Sequence, residues 1–217
     1  MDIRDATPAL RRALEIPYAE PGMRIGLLGG SFNPPHEGHL AITLLALKRA
    51  GLDRVWWLVT PGNPLKDHGE LESLERRIEL CRQMTAGHPH IDITAFEARH
   101  KVRYTEDTLS LLTRIRPRLD FVWMMGADNL AGFHRWQNWR RIAAMMPILV
   151  IDRPGSTLSY RSAPAAIALA RYRIDEADAG LIAKHRPPAW TFLHGPRSPL
   201  SSSAIRAARK SAAIRRD

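Results

Sequence analysis

Two histidines, His36 and His39, close the run Gly29-Gly30-Ser31-Phe32-Asn33-Pro34-Pro35-His36-Glu37-Gly38-His39. Their spacing of three residues puts both imidazoles on one side of a first helical turn. Backbone N–H groups freed by glycine and by that turn point at an anion, and the helix dipole favours negative charge there. The chemistry available to such a corner is the holding of phosphate. Taken singly, Gly-Gly marks a turn and one histidine caps a helix; their conjunction points to a nucleotide. The run has neither the G-x-G-x-x-G order of a dinucleotide fold nor the Gly-Lys-Ser/Thr of a P-loop.

Other residues could share that work. Ser201-Ser202-Ser203-Ala204-Ile205-Arg206 opens a helical stretch with three hydroxyls and an arginine. Serine is a preferred N-cap, which accounts for one hydroxyl, and arginine is a permanently charged fork for phosphate. Gly126-Ala127-Asp128 follows an apolar run and precedes Phe133, Trp136 and Trp139. An aspartate there can accept hydrogen bonds from ribose hydroxyls, and the glycine lets backbone come close. Packing of a core is the plain reading of the aromatic residues, and the one we adopt for Trp139. Thr105 stands where a helix should begin, as a cap or beside N–H groups that hold a carboxylate. Lys66 in Asn63-Pro64-Leu65-Lys66 and Arg153 in Asp152-Arg153-Pro154-Gly155 are cations in loops that follow strands, by themselves ordinary loop residues. His88, His90 and His100 lack the spacing of a zinc site.

These motifs together resemble the nucleotidyltransferase superfamily with the H-x-G-H signature, and within it the nicotinate-nucleotide adenylyltransferase family. The likeness runs from Met23 to about Ile214 and leaves residues 1–22 outside as an N-terminal extension before a single domain, 23–217. It implies transfer of AMP from ATP to nicotinate mononucleotide, with Mg²⁺ held mainly by nucleotide phosphates and water. His36, His39 and Arg206 are the implied catalytic residues. Gly29, Gly30, Ser31, Phe32, Gly126, Asp128, Ser202 and Ser203 join them around ATP. Ser31, Lys66, Thr105, Trp136, Gln137 and Arg153 are implied on the acceptor side: Trp136 stacking on the pyridine ring, Thr105 and the Gln137 N–H at its carboxylate. Leu200 and Ser203 depart mildly from the family's I-S-S-T-x-I-R, and Arg103 replaces a small residue before Tyr104-Thr105.

The elements that must position these residues follow from periodicity. Apolar runs at Met23–Leu28, Arg54–Thr60, Ile91–Phe96, Asp120–Met125, Ile148–Ile151 and Trp190–Leu193 alternate with helical patterns. The helices are expected near Gly38–Ala50, Leu71–Ala86, Thr105–Arg116, Gln137–Met145, Ala163–Arg171 and Ser202–Ile214. Strand–helix alternation predicts an α/β fold: a Rossmann-like, doubly wound, mainly parallel sheet of five to six strands with helices on both faces. Ligands gather beyond the carboxyl ends of such strands. Residues 1–22 read as an extension or a loosely attached helix.

With 217 residues, 45% hydrophobic and 25% charged, the chain has an ordinary globular profile. No apolar run approaches the roughly 20 residues needed to span a bilayer. The first residues lack a signal's apolar core, and the single cysteine, Cys81, can form no internal disulfide. A cytoplasmic setting with a structural Cys81 is expected. The net charge of +10 suits polyanionic small substrates as well as nucleic acid, and RNA-binding motifs are absent, so no dedicated nucleic-acid partner is expected. Two alternatives stay open: transfer to nicotinamide mononucleotide or another phosphorylated acceptor, and a non-catalytic nucleotide- or RNA-binding protein.

Overall fold

A helix between two short apolar runs is the crossover that lets them pair side by side in the same direction, and the strands of this chain do so among the described residues. The computed structural model describes residues 7–62, 71–152 and 159–195. Strands β1 (Arg24–Gly30), β2 (Arg54–Val59), β3 (Ile91–Thr94), β4 (Asp120–Gly126), β5 (Ile148–Ile151) and β6 (Trp190–Leu193) form one sheet. Its order is β3-β2-β1-β4-β5-β6, and every neighbouring pair is parallel. Among the described residues the helices are α1 (Pro8–Ala13), α2 (Glu37–Arg49), α3 (Leu74–Thr85), α4 (Phe96–His100), α5 (Thr105–Ile115), α6 (Ala127–Phe133), α7 (Trp139–Met145) and α8 (Pro164–Ala168). This is the doubly wound architecture expected from the alternation.

Each strand sends alternate side chains to opposite faces. On one face Leu28, Trp57 and Val122 pack with Ile42 and Ala46 of α2 and with Ile78 and Cys81 of α3. On the other, Ile25, Leu27, Trp56 and Trp123 pack with Leu109 and Leu112 of α5, Phe133 of α6 and Ile142 of α7. Chain direction across the sheet reverses between β1 and β4, so their carboxyl ends open a crevice. At the opposite edge, bidentate pairs Arg24–Asp53 and Arg54–Asp92 tie the strand starts together.

Several boundaries differ from expectation. β1 continues past Leu28 because Gly29 and Gly30 keep pairing, with Leu58 and Val59. β3 stops at Thr94, whose hydroxyl donates to the carbonyls of Ala13 and Glu15, and Phe96 opens α4. The expected Gln137–Met145 helix starts only at Trp139, because Asn138 is left-handed at φ +52° and breaks the turn. The expected Ala163–Arg171 helix is α-helical only over Pro164–Ala168, followed by a 3₁₀ turn at Ala170–Tyr172. Residues 176–184, with no expected element, form a longer 3₁₀ segment against β6. Residues 7–22 carry α1, whose Leu10 and Ala13, with Leu14 just beyond it, are buried in the core. Lys66, Arg153, Ser202, Ser203 and Arg206, with the 202–214 helix, lie outside the described residues.

Candidate active site at the β1–α2 corner

The glycine–histidine run leaves β1 at Gly30 and enters α2 at Glu37. Gly29 is required by close approach: a Cβ there would lie 2.7 Å from the Trp123 ring of β4. Phe32 takes φ +46° and turns its ring inward, where it is buried and stacks on Trp57 at 4.9 Å. Against the same ring lies His39, at 4.8 Å. Trp57 Nε1 donates to Thr43 Oγ1 at 2.8 Å, and that hydroxyl donates to the His39 carbonyl at 2.8 Å. The second histidine of the motif is thus held from below by an aromatic stack and a buried hydrogen-bond chain.

His36 and His39 do come together, with ring centroids 3.9 Å apart. His36 is the N-cap of α2, and its Nδ1 accepts from the Gly38 N–H at 3.1 Å. His39 answers reciprocally, its Nδ1 accepting from the His36 N–H at 3.2 Å. The capping role and the functional role therefore coexist. An Nδ1 that accepts a backbone N–H carries no proton, so in the neutral ring the proton sits on Nε2. His36 is buried, at 3% exposure, and His39 half-buried; imidazole N–H donors at a helix N-terminus have the chemistry to hold phosphate oxygens.

One residue that sequence reasoning missed organises the floor. Arg77 of α3 is fully buried, and its guanidinium donates to the carbonyls of Ser31 (2.8 Å), Thr60 (2.7 Å), Glu72 (3.0 Å) and Pro61 (3.4 Å). Burial lowers its pKa from the ordinary arginine value. Asn33 Oδ1 adds a link by accepting the Glu72 N–H at 3.2 Å. Cys81, one turn further along α3, is buried as expected, and burial pushes its thiol up.

Across the crevice, Gly126 ends β4 as the N-cap of α6, and Asp128 is exposed in the first turn of that helix. The aromatic residues sort by burial. Phe133 and Trp139 are core, edge-to-face at 5.7 Å, whereas Trp136 is half-buried against the edges of Phe133 and Trp123. Thr105 is the first residue of α5, half-buried; the N-cap itself is Tyr104, without a side-chain cap bond. Gln137 is exposed beside left-handed Asn138.

Glu106, also unrecognised in the sequence, links these two segments. Its buried carboxylate accepts from Asn138 Nδ2 at 3.4 Å and from Ser110 Oγ at 3.1 Å, and pairs with Arg141 at 3.1 Å. A second buried carboxyl, Glu97 of α4, accepts from Thr108 Oγ1 of α5 at 2.6 Å, and burial pushes it up to about 7.

The cytidylyltransferase-like family model matches residues 27–208, from within β1 to beyond the last strand. The chain belongs to the cytidylyltransferase-like family. Within that family, it is 58% identical over 191 residues to a probable nicotinate-nucleotide adenylyltransferase of Mesorhizobium japonicum, covering 88% of this chain and 97% of the relative. A protein of the same name from Agrobacterium fabrum is 56% identical over 184 residues, covering 85% and 98%. Among solved structures, Plasmodium falciparum nicotinic acid mononucleotide adenylyltransferase complexed with NaAD superposes with a TM-score of 0.65 at 18% identity, over 85% of this chain and 83% of that one. That last likeness is one of fold.

Proposed function

We infer that this enzyme transfers AMP from ATP to nicotinate mononucleotide, releasing pyrophosphate and forming nicotinate adenine dinucleotide in NAD biosynthesis. The observation that carries the reading is the pair of imidazoles with both Nδ1 atoms occupied by backbone N–H groups, at the point where β1 and β4 part. The relatives supply the acceptor, being named nicotinate-nucleotide adenylyltransferases at 58% and 56% identity.

The acceptor phosphate is an adequate nucleophile at neutral pH, so the enzyme needs no side-chain base and no covalent intermediate. A phosphate oxygen of the mononucleotide attacks the α-phosphorus of ATP, and the bond to the bridging oxygen breaks as pyrophosphate leaves. The enzyme aligns two anions and stabilises charge growing on the α-phosphate and the leaving group. His36 and His39 hold ATP phosphate oxygens through Nε2–H, with the backbone of Gly29, Gly30, Ser31 and Phe32 around them. Ser202, Ser203 and Arg206 take the pyrophosphate end. Gly126 and Asp128 receive the adenosine, Asp128 bonding ribose hydroxyls.

On the acceptor side, Trp136 stacks on the pyridine ring, while Thr105 and the Gln137 N–H seat its carboxylate. Lys66, Arg153 and Ser31 meet the mononucleotide phosphate. Among the described residues no group of three or more His, Cys, Asp or Glu is arranged for a metal ion. Imidazole and amide N–H donors bind phosphate rather than a hard cation, which fits Mg²⁺ arriving on the ATP phosphates with water as its other ligands. Bound there, it neutralises phosphate charge. The proposal keeps the cytoplasmic setting expected from the sequence.

The test is pyrophosphate release from Mg-ATP, with nicotinate mononucleotide and nicotinamide mononucleotide in parallel. Strong preference for the nicotinate substrate is expected. Preference for the nicotinamide substrate would remove the carboxylate roles of Thr105 and Gln137. Release with neither would overturn the acceptor assignment and favour another phosphorylated acceptor or a binding module.

A further inference from the structure

Arg77 sits outside every motif, yet it ties Ser31 of the glycine–histidine run to the loops after β2 and before α3. It is 1% exposed, and its four hydrogen bonds all go to backbone carbonyls. Those carbonyls belong to three separate stretches: Ser31 after β1, Thr60 and Pro61 after β2, and Glu72 before α3. A trans peptide is planar, with its C=O and the following N–H pointing in opposite directions. Drawing the Ser31 carbonyl toward Arg77 therefore turns the Phe32 N–H away from α3. Drawing in the Pro61 carbonyl does the same to the Gly62 N–H.

We propose that Arg77 is a positioning residue for the ATP phosphates: it pulls two loop carbonyls inward and so aims the Phe32 and Gly62 amides outward, beside His36 and His39. Only arginine can fill this role, because a fan of carbonyls needs the rigid, multi-donor fork of a guanidinium. Lysine carries three donors on one nitrogen and cannot span the same set. The arrangement also leaves a buried positive charge, bonded to neutral carbonyls, beneath the seat for a polyanion. This inference rests on the adenylyl-transfer reading for its ligand, ATP, and not on the identity of the acceptor.

The experiment compares Arg77→Lys, Arg77→Ala and a control, Ile78→Val, which shortens a buried side chain of the same helix. Thermal unfolding is followed alongside ATP binding by calorimetry and steady-state turnover. Folded Arg77→Lys is expected to lose about tenfold to a hundredfold in kcat/KM for ATP, as misplaced donors do. Its calorimetric affinity for ATP falls with it, while Ile78→Val keeps wild-type constants. Methylguanidinium added to Arg77→Ala is expected to restore part of the lost ATP affinity. An Arg77→Lys protein with a lowered melting temperature but wild-type ATP constants would overturn the proposal, leaving a purely structural arginine.

Should neither variant fold, amide NMR of the unaltered protein decides. Addition of ATP must shift the Phe32 and Gly62 N–H resonances, and unmoved resonances refute the aim we assign. ATP binding involves no acceptor, so it remains readable even if nicotinate mononucleotide proves to be the wrong partner.

Discussion

The two sides of the crevice are built to different standards of rigidity. At the β1–α2 corner the ties are buried or backbone-anchored: the Phe32 ring stacked on Trp57, the hydrogen bonds from Trp57 to Thr43 and from Thr43 to His39, and Arg77 under Ser31. Between α5 and α7 the braces end on exposed side chains: buried Glu106 holds Asn138 and Arg141, both exposed. Buried bonds in a low-dielectric interior hold a group to one place, whereas exposed ones compete with water. The proposed mechanism puts phosphate chemistry, common to all acceptors, on the rigid side and recognition of the acceptor on the adjustable side.

The sharpest way to break this contrast is His39→Ala. The rate is expected to fall about a hundredfold or more, a loss of about 3 kcal/mol, with little change in acceptor KM. Steady-state kinetics checks it, and unchanged turnover would take His39 out of the mechanism. Next in size is Glu97→Gln. Glu97 holds its proton up to about pH 7 in the fold, whereas an exposed glutamate loses it near 4.5. Native stability must therefore fall as pH rises from about 4.5 to 7 and stay reduced above that. The glutamine variant should be more stable above pH 7, on the order of 2 kcal/mol, and lack this slope. Urea unfolding at pH 5 and pH 8 reads both; equal gains at the two pH values would refute it.

Smaller effects probe the adjustable side. Trp136→Ala should raise the acceptor KM about tenfold, the worth of one aromatic stack, and leave ATP affinity in place. A matching loss of ATP affinity would mean that the two sides are not separate. Smallest is Glu106→Gln, which removes the charge that holds Arg141 but keeps a hydrogen-bonding group for Asn138. Preference for nicotinate over nicotinamide mononucleotide should narrow about twofold to fivefold, with the melting temperature nearly unchanged.

Local pattern carried a good part of this. The positions of all six strands, the helix opened by the histidine run and the meeting of His36 with His39 depend on neighbours a few residues apart, so they are legible in the chain. Boundaries were less so. The left-handed turn at Asn138 and the bonding of Thr94 to Ala13 come from contacts that no periodicity records. Trp136 and Trp139 look alike in sequence; only packing against Phe133 and Trp123 divides them into a half-buried ring and a core ring.

By itself, then, the amino-acid sequence determined the element types, the parallel alternation and the pairing of His36 with His39, because these follow from side-chain period and short spacing. Tertiary structure alone decided how the seat is supported. Arg77 reaches Ser31 across 46 positions, and Glu106 reaches Asn138 across 32. In the chain each reads as an ordinary charged residue on a helix. Folding removes water from both, and a group that loses its water must find partners wherever the sheet order has brought them.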